Sequence, residues 1–272
     1  MFVRKLRLGL LLTAALLTAA SAGAQAKPSV RLATTAALEQ TGLLAWLLPK
    51  FTADTGIAVN VLAVEAKGAF ELGKRGEADV LLVDDRAFED FYVSQRHAIE
   101  RREVMYVEYL IAGPRTDPAS IGDSGSAPGA AKLIAETKSP FVSRGDGSGA
   151  HEAEKRLWAA AGRIPETGAG AWYFSANAAA PAMLELAGAK QAYCLIDRPS
   201  WLALRNHYGL IDLVNGDPIL RVAYGVLVVN DLKHKGARFP AGKQLADWLT
   251  GAQGRTLIAK FQVAEKQVYL VR

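Results

Sequence analysis

A glycine-rich turn in the middle of the sequence carries the residues best suited to chemistry. The turn contains an arginine, three glycines and a serine, which are Arg144, Gly145, Gly147, Ser148 and Gly149. A predicted strand over 141–143 leads into it, and a predicted amphipathic helix over 150–161 follows it. Glycines allow close approach to the backbone, a helix N-terminus is the positive end of a dipole, and Arg144 adds a charged planar donor. The turn therefore predicts a cradle for an oxyanion.

Other interpretations of the same turn must be weighed against the cradle. With no ligand at all, Ser148 would cap the following helix and Arg144 would pair with Asp146. A nucleophile elbow is excluded because Asp146 and Ala150 stand where that motif requires glycine around the serine. The phosphate-loop pattern is absent, since no Gly-Lys-Ser/Thr follows the turn.

Enzymatic and cofactor-dependent functions find weak support. The spacing of Gly145, Gly147 and Ala150 fits a relaxed dinucleotide fingerprint, but it lies mid-chain rather than in a first strand-helix unit. Ser148 and His151 could form a catalytic pair, yet no third member is visible. The histidines show no metal-ligand spacing; they are His97, His151, His207 and His234. We therefore expect a binding protein that is not an enzyme and holds no cofactor or metal.

Two threonines form a second candidate binding segment. Thr34 and Thr35 end the first predicted strand, and a helix begins soon after them. Their hydroxyls, together with free N–H groups of the next segment, would face a ligand cleft. The alternative is that at least one of them is an ordinary strand-end or capping threonine.

The elements that position these residues follow a β-α-β-α-β order. Alternating or apolar patterns predict strands over 29–34, 57–64 and 79–84, and helical spacing predicts helices over 42–55 and 70–75. This order predicts a parallel sheet flanked by helices, whose ligands lie beyond the carboxyl ends of the strands. Thr34, Glu65 and Asp84 fall at such ends.

Two long apolar strands, predicted over 105–112 and 222–229, occupy corresponding places in the two parts of the chain. They suggest two crossings between lobes, which gives a bilobal α/β fold with a hinge. Lobe one would comprise 27–111 plus 226–272, and lobe two 112–225. Between them, the Gly/Ser/Pro-rich segment 117–129 is predicted to be a loop. Further helices are predicted over 178–189, 242–249 and 254–261.

The N-terminus has the features of a secretory signal peptide. Arg4, Lys5 and Arg7 precede an apolar run over 8–20, and small residues at 22–26 offer cleavage positions. The run is shorter than the roughly 18–20 residues that a membrane-spanning helix needs. Removal of 1–26 takes three positive charges from a net charge of +5 and leaves +2, with no dense basic run, so nucleic-acid binding is not expected. The single cysteine, Cys194, can form no intrachain disulfide, and a soluble periplasmic protein is expected.

The sequence resembles the tungstate-binding proteins of bacterial ABC importers over most of the predicted mature chain. The matching motifs are Ala33-Thr34-Thr35, Gly42-Leu43-Leu44, Thr55-Gly56-Ile57, Ala78-Asp79-Val80-Leu81-Leu82-Val83, Phe141-Val142-Ser143-Arg144-Gly145-Asp146, Ser148-Gly149, His151, Trp172-Tyr173, Asp197-Arg198, Gly216-Asp217-Pro218 and Tyr224-Gly225-Val226. The resemblance implies a type II periplasmic binding protein fold with two doubly wound α/β lobes joined by two crossover strands. It also implies a tetrahedral oxyanion ligand, tungstate or molybdate, and a membrane permease as partner. A monomer is expected, because it suits a receptor that opens and closes against a membrane partner.

Carried onto this sequence, the family's contacts would be Thr34, Thr35, Arg144, Ser148 and Gly149. The predicted ligand-binding set also includes the neighbouring residues of the cradle and of the turn after the second strand, which are Lys67, Gly68, Gly147 and Ala150. The sequence departs from the family within the predicted cleft, at Ala36-Ala37, Glu65-Ala66-Lys67-Gly68, Ala150 and Asn177-Ala178-Ala179-Ala180-Pro181.

Glu65 would repel a dianion unless Lys67 neutralises it or the side chain points away. Three interpretations therefore stay open. The first is an oxyanion receptor, the second a receptor of the same fold for an organic acid or a cation-bearing solute, and the third a periplasmic enzyme on this scaffold.

Overall fold

The computed structural model describes residues 28–165 and 172–271 of the 272-residue chain. The predicted signal peptide, 1–26, lies outside the described residues. Within these ranges, no helix combines the length and the hydropathy that crossing a bilayer requires. The strands are β1 (Ser29–Thr35), β2 (Ala58–Val64), β3 (Val80–Val83), β4 (Ala98–Pro114), β5 (Phe141–Ser143), β6 (Tyr173–Ser175), β7 (Cys194–Asp197), β8 (Leu210–Val214), β9 (Arg221–Val229), β10 (Gln262–Val263), β11 (Lys266–Gln267) and β12 (Tyr269–Leu270). The helices are α1 (Ala36–Gln40), α2 (Leu43–Thr55), α3 (Ala66–Lys74), α4 (Arg86–Ser94), α5 (Ala127–Thr137), α6 (Gly149–Ala160), α7 (Ala180–Lys190), α8 (Arg198–Ala203), α9 (Phe239–Thr250) and α10 (Ala252–Lys260).

The first half of the fold is built on a sheet with the strand order β2-β1-β3-β9-β4-β12. β1 runs parallel to both β2 and β3, whereas β9 is antiparallel to β3 and β4. All four residues of β3 are buried, as expected for a parallel strand covered by helices on both faces. The predicted β-α-β-α-β order is present, so the carboxyl ends of β1, β2 and β3 lie at one edge of the sheet.

The long strand β4 belongs to two sheets. Its residues 98–108 pair with β9, and its residues 109–114 pair with β7 and β8. β5 pairs with β6 and is joined to the segment before β7 by the bridge Phe141↔Tyr193. The second half therefore has the order β6-β5-β7-β4-β8, and β4 links the two halves. The predicted lobe limits, 27–111 plus 226–272 and 112–225, remain predictions.

Two helices of the second half are absent from the sequence-based expectation. The segment 117–129, expected to be a loop, holds a 3-10 turn at Ile121–Asp123 and the first turn of α5. Ser126 caps α5 by accepting a hydrogen bond from the Gly129 N–H at 3.1 Å, and Pro128 lies in the first turn, where no backbone donor is needed. The same combination of cap and proline starts α8, with Asp197 and Pro199. Serine, glycine and proline thus mark helix starts here.

A buried ion-pair cluster fixes the start of β3 in the first half. The Asp79 side chain is fully buried and accepts hydrogen bonds from the Arg31 backbone N–H at 2.7 Å and from Arg31 Nη2 at 2.5 Å. It also accepts from the Arg238 backbone N–H at 2.7 Å. Asp79 therefore ties β1 and β3 to the segment that enters α9, and it stabilises the sheet that carries the cleft.

Candidate functional site

A cavity of about 290 Å³ lies between the two halves. The first half contributes the carboxyl ends of β1, β2 and β3, and the second half contributes the N-terminal turns of α6, α7 and α8. Tyrosines from β4, β9 and β12 form a further part of the wall. The lining side chains and backbone belong to Thr35, Ala36, Ala37, Gln40, Thr41, Glu65, Asp84, Val107, Tyr109, Arg144, Ser148, Gly149, Ala150, Ala179, Ala180, Pro181, Asp197, Pro199, Ser200, Ala203, Leu204, Tyr224 and Tyr269.

Five of the predicted site residues line this cavity, and they come from both halves: Thr35, Arg144, Ser148, Gly149 and Ala150. Four others do not line it, which are Thr34, Lys67, Gly68 and Gly147. Thr34 is fully buried, and its hydroxyl donates to the Leu82 carbonyl at 2.7 Å, because side chains alternate along β1.

The remaining three lie outside the cavity lining because the backbone around them turns elsewhere. The turn expected at 65–68 is already helical, as α3 begins at Ala66, so the Lys67 side chain is exposed to solvent and Gly68 packs near Val64. Gly147 has a positive φ of 71° and donates its N–H to His151 Nδ1 at 3.0 Å. Glu65, by contrast, lies at the mouth of the cavity and is exposed.

The turn before α6 makes the contacts expected of a turn without ligand. Arg144 Nη2 and Nε donate to Asp146 Oδ2 at 2.6 and 3.1 Å. Ser148 donates to Asp146 Oδ1 through both its hydroxyl and its N–H, and its oxygen caps α6. Burial would raise the pKa of Asp146, but the hydrogen bonds from Ser148 and Arg144 together hold it below its ordinary value. The ion pair with Asp146 therefore holds the Arg144 guanidinium in place beside the cavity.

A buried carboxylate supports this turn from behind. Glu154, on α6, accepts hydrogen bonds from the Arg144 backbone N–H at 3.2 Å and from the Tyr173 hydroxyl at 2.6 Å. Trp158 Nε1 donates to it at 3.3 Å. Glu154 is 1% exposed, and burial raises its pKa. It thereby holds the backbone at Arg144 in one position relative to α6.

Backbone donors at two helix starts face the cavity. α6 begins at Gly149, and α7 begins at Ala180 after Ala179, which supplies no capping side chain. The first N–H groups of a helix have no intrahelical partner, so these turns can donate to an anion. The alanines at these helix starts, Ala150, Ala179 and Ala180, supply no side-chain donor to this wall, so its donors are those of the backbone.

Acidic and aromatic side chains form the opposite wall. Asp84, at the end of β3, is 5% exposed, and burial raises its pKa to about 6. Burial likewise raises the pKa of Tyr109 and Tyr224 well above the ordinary value, so both hydroxyls stay protonated. Asp197 caps α8 by accepting from the Ser200 N–H at 2.8 Å. Sequence reasoning identified Asp84 only as a strand end and missed the tyrosines and Asp197, which reach the cavity through β4, β9 and α8.

The arrangement is suited to binding an anion, and the candidate catalytic pair of Ser148 and His151 is not formed in it. His151 Nδ1 accepts the Gly147 N–H, and the Ser148 hydroxyl donates to Asp146 at 2.6 Å, so the serine and histidine do not act on one another. Among the described residues, no group of three or more His, Cys, Asp or Glu side chains is placed to hold a metal ion. Arg144 and the two helix starts supply the positive potential.

Several known proteins are similar to the chain in sequence and in structure. The tungstate-binding protein TupA of Peptoclostridium acidaminophilum is 39% identical over 239 residues, which is 87% of this chain and 82% of the relative. The structure of the tungstate-binding protein TupA from Desulfovibrio alaskensis G20 superposes with a TM-score of 0.80 at 30% identity, covering 89% of this chain and 98% of that one. The tungstate ABC transporter protein from Geobacter sulfurreducens gives a TM-score of 0.77 at 34% identity, with 86% and 98% covered.

These similarities confirm the resemblance drawn from the motifs and the expected bilobal fold of periplasmic binding proteins. They also confirm that the chain is not an enzyme, because the relatives are binding components of transporters. A family model described as a PBP superfamily domain matches residues 19–253, most of the length of the chain. The chain belongs to the PBP superfamily.

Proposed function

We propose that the protein is a periplasmic solute-binding component of an ABC importer and binds a tetrahedral oxyanion, tungstate or molybdate, in the cavity between its halves. The observation that carries this proposal is the meeting of Arg144 with the first turn of α6 in the cavity wall. Relatives that bear the name tungstate-binding protein, at up to 39% identity, support the choice of anion.

The binding mechanism uses fixed donors and no chemical step. Arg144 supplies the formal charge, and the N–H groups of Gly149 and Ala150 supply the helix-terminal dipole. The first half contributes Thr35, whose oxygen caps α1 by accepting from the Leu38 N–H at 3.2 Å and whose hydroxyl proton is free to point to the ligand. Closure of the halves around the anion then gives the form that a membrane permease recognises.

Export and the cellular partner belong to the same proposal. Residues 1–26 would be cleaved as a signal peptide, which places the mature protein in the periplasm. There it would act as a monomer that delivers the anion to its permease.

The test is a calorimetric titration of residues 27–272 with tungstate, molybdate, sulfate and phosphate. Arg144→Ala removes a charged donor and is expected to weaken oxyanion binding by well over tenfold, or about 1.5–3 kcal/mol. Arg163→Ala is the matched control, because Arg163 is exposed and pairs with Glu136 away from the cavity. Failure of wild-type protein to bind any oxyanion would refute the function, and an unchanged Kd in Arg144→Ala would remove Arg144 from the site.

One observation favours a second candidate, a receptor for a cation-bearing solute such as an amino acid. The carboxylates of Glu65, Asp84 and Asp197 all line the cavity, whose volume of about 290 Å³ exceeds the needs of a four-oxygen anion. A carboxylate wall suits an ammonium group. Amino acids and small organic acids therefore belong in the titration panel, and their tight binding in the absence of oxyanion binding would select this candidate.

A further inference from the structure

The cavity contains a carboxylate that the binding of an anion must accommodate. Asp84 is 5% exposed, and its Oδ1 has no hydrogen-bond partner within the described part of the chain. Its carboxylate lies directly against Gly149, since a Cβ built on Gly149 would stand 2.5 Å from both Cγ and Oδ1 of Asp84. Asp84, from the first half, thus occupies the space beside the first turn of α6, where the proposed anion binds.

The acidic groups around Asp84 oppose a negative charge on it, whereas a backbone hydrogen bond and the Tyr224 hydroxyl favour that charge. Asp85 is its neighbour in sequence, Glu89 faces it from α4, and Asp197 faces it from the start of α8. Three tyrosines also face Asp84 and carry no charge: Tyr109 on β4, Tyr224 on β9 and Tyr269 on β12. Glu65 adds a further carboxylate at the cavity wall, and Arg144, which is the one cation of that wall among the described residues, is already paired with Asp146.

Burial raises the pKa of Asp84 to about 6, and the carboxylates of Asp85 and Asp197 add to this rise, while a backbone hydrogen bond and the Tyr224 hydroxyl act against it. At neutral pH the ligand-free protein therefore carries Asp84 mainly ionised but close to its titration. A dianion placed at the first turn of α6 adds two negative charges within a few ångströms, and like charges at this distance cannot both stay ionised in a desolvated site.

We infer that Asp84 is the specificity-determining residue of the cavity, and that a dianionic ligand is bound together with one proton held on Asp84. This inference rests on the proposed oxyanion function. The proton comes from solvent, resides on the carboxyl of Asp84, and is donated as a hydrogen bond to a ligand oxygen. The carboxyl of Asp84 thereby gains a hydrogen-bond partner, and its charge repulsion with the anion is replaced by a hydrogen bond.

The need for this proton distinguishes oxyanions that carry a proton from oxyanions that do not. Tungstate, molybdate and sulfate are dianions that carry no proton near neutral pH, so each must take one from solvent. Hydrogen phosphate brings its own proton and can donate it to an ionised Asp84. Binding of tungstate, molybdate and sulfate therefore weakens as pH rises, whereas binding of hydrogen phosphate does not follow the titration of Asp84.

Calorimetric titrations with tungstate test this inference in buffers that differ in ionisation enthalpy, because the buffer dependence of the heat counts protons. The wild-type chain is expected to take up about one proton per tungstate at about pH 8. Its Kd is expected to weaken about 75-fold between about pH 6.5 and about pH 8.5, as the protonated fraction of a group with a pKa of about 6 falls by that factor.

Asp84→Asn replaces the titrating group by an amide of the same shape that donates at every pH. It is expected to bind tungstate with no proton uptake, with a Kd independent of pH, and more tightly than wild type at about pH 8.5. Asp90→Asn is the matched control, because Asp90 is an exposed carboxylate on α4 that pairs with Arg86. This control is expected to keep the proton uptake and pH dependence of wild type.

The outcomes separate the inference from the function on which it rests. Tungstate binding by wild type without proton uptake and with a constant Kd would overturn the role of Asp84 and leave the receptor function intact. Loss of pH dependence in Asp90→Asn, or its persistence in Asp84→Asn, would assign the proton to another group and likewise overturn it. Absence of oxyanion binding in both wild type and Asp84→Asn would refute the proposed function itself.

Discussion

Gly149 offers a direct test of how the two halves meet. Its φ is outside the left-handed region, so alanine can adopt the same backbone conformation. The added Cβ, however, would stand 2.5 Å from Cγ and Oδ1 of Asp84, closer than real Cβ contacts allow. Because Asp84 and Gly149 lie on opposite halves, Gly149→Ala should leave each half intact and hinder their approach.

The size of the effect follows from the cost of forcing extra atoms into a filled space. Overpacking of this kind costs about 1–3 kcal/mol. Alanine in place of glycine in a helix gains up to about 1 kcal/mol, but this gain is present whether the halves are open or closed and leaves the equilibrium between them unchanged. The closed form should therefore lose about 5-fold to about 150-fold in population, and the Kd for tungstate should weaken by the same factor.

The assay combines titration calorimetry with small-angle X-ray scattering. Gly149→Ala is expected to bind tungstate more weakly and to retain a larger radius of gyration with ligand present. Gly68→Ala is the matched control, because its Cβ would meet only Val64, at 3.3 Å, outside the cavity.

A double-mutant cycle identifies the cause of any loss. In an Asp84→Ala background the collision partner is absent, so Gly149→Ala should have little further effect on affinity. Wild-type affinity and scattering in Gly149→Ala would refute the reasoning, and so would an equal loss in the presence and absence of the Asp84 side chain.

Two further predictions concern stability. The pKa of Asp84 rises on folding from 3.8 to about 6, so the free energy of unfolding falls as pH rises between these values. Above about pH 6, Asp84→Asn should therefore raise the free energy of unfolding by up to about 3 kcal/mol and raise Tm with it. Calorimetric scans should show this gain vanish below about pH 4. Asp79→Ala should lower the unfolding free energy in urea by about 3–5 kcal/mol, because it leaves Arg31 without its buried partner, whereas Asp90→Ala, at an exposed pair, should cost less than about 1 kcal/mol; equal effects of the two would contradict the structure.

The first strands could be predicted from the sequence because β3 is buried throughout, and because β2, a partly exposed edge strand, is rich in valine. The short length of the apolar run in β3 and the β-branched residues of β2 favour strands over helices. The helices α5 and α8 escaped prediction because capping side chains and first-turn prolines have the composition of loops. Local composition cannot distinguish a helix start from a loop when the helix is short or its apolar face is made of alanines.

The candidate site was predicted in part for a similar reason. Arg144 and the start of α6 are adjacent in sequence, so their meeting is visible in the motif itself. The proximity of Asp84 to Gly149 joins residues 65 positions apart, and it depends on how the two halves face one another. Thr34 shows the opposite case, in which a motif residue turns inward because strand geometry sends alternate side chains to opposite faces.

The sharing of β4 between both sheets bears on how this chain could be divided or recombined. Residues 98–108 pair with β9 and, near Val107, with β12, whereas residues 109–114 pair with β7 and β8, so a cut near residue 111 would divide the part of β4 that belongs to the second sheet. Neither half is a module that can be excised whole. An exchange of one half between relatives must include β4 together with the strands that pair with it. A chimera in which only the residues lining the cavity are exchanged as segments, without those strands, would have unpaired strand edges and would aggregate.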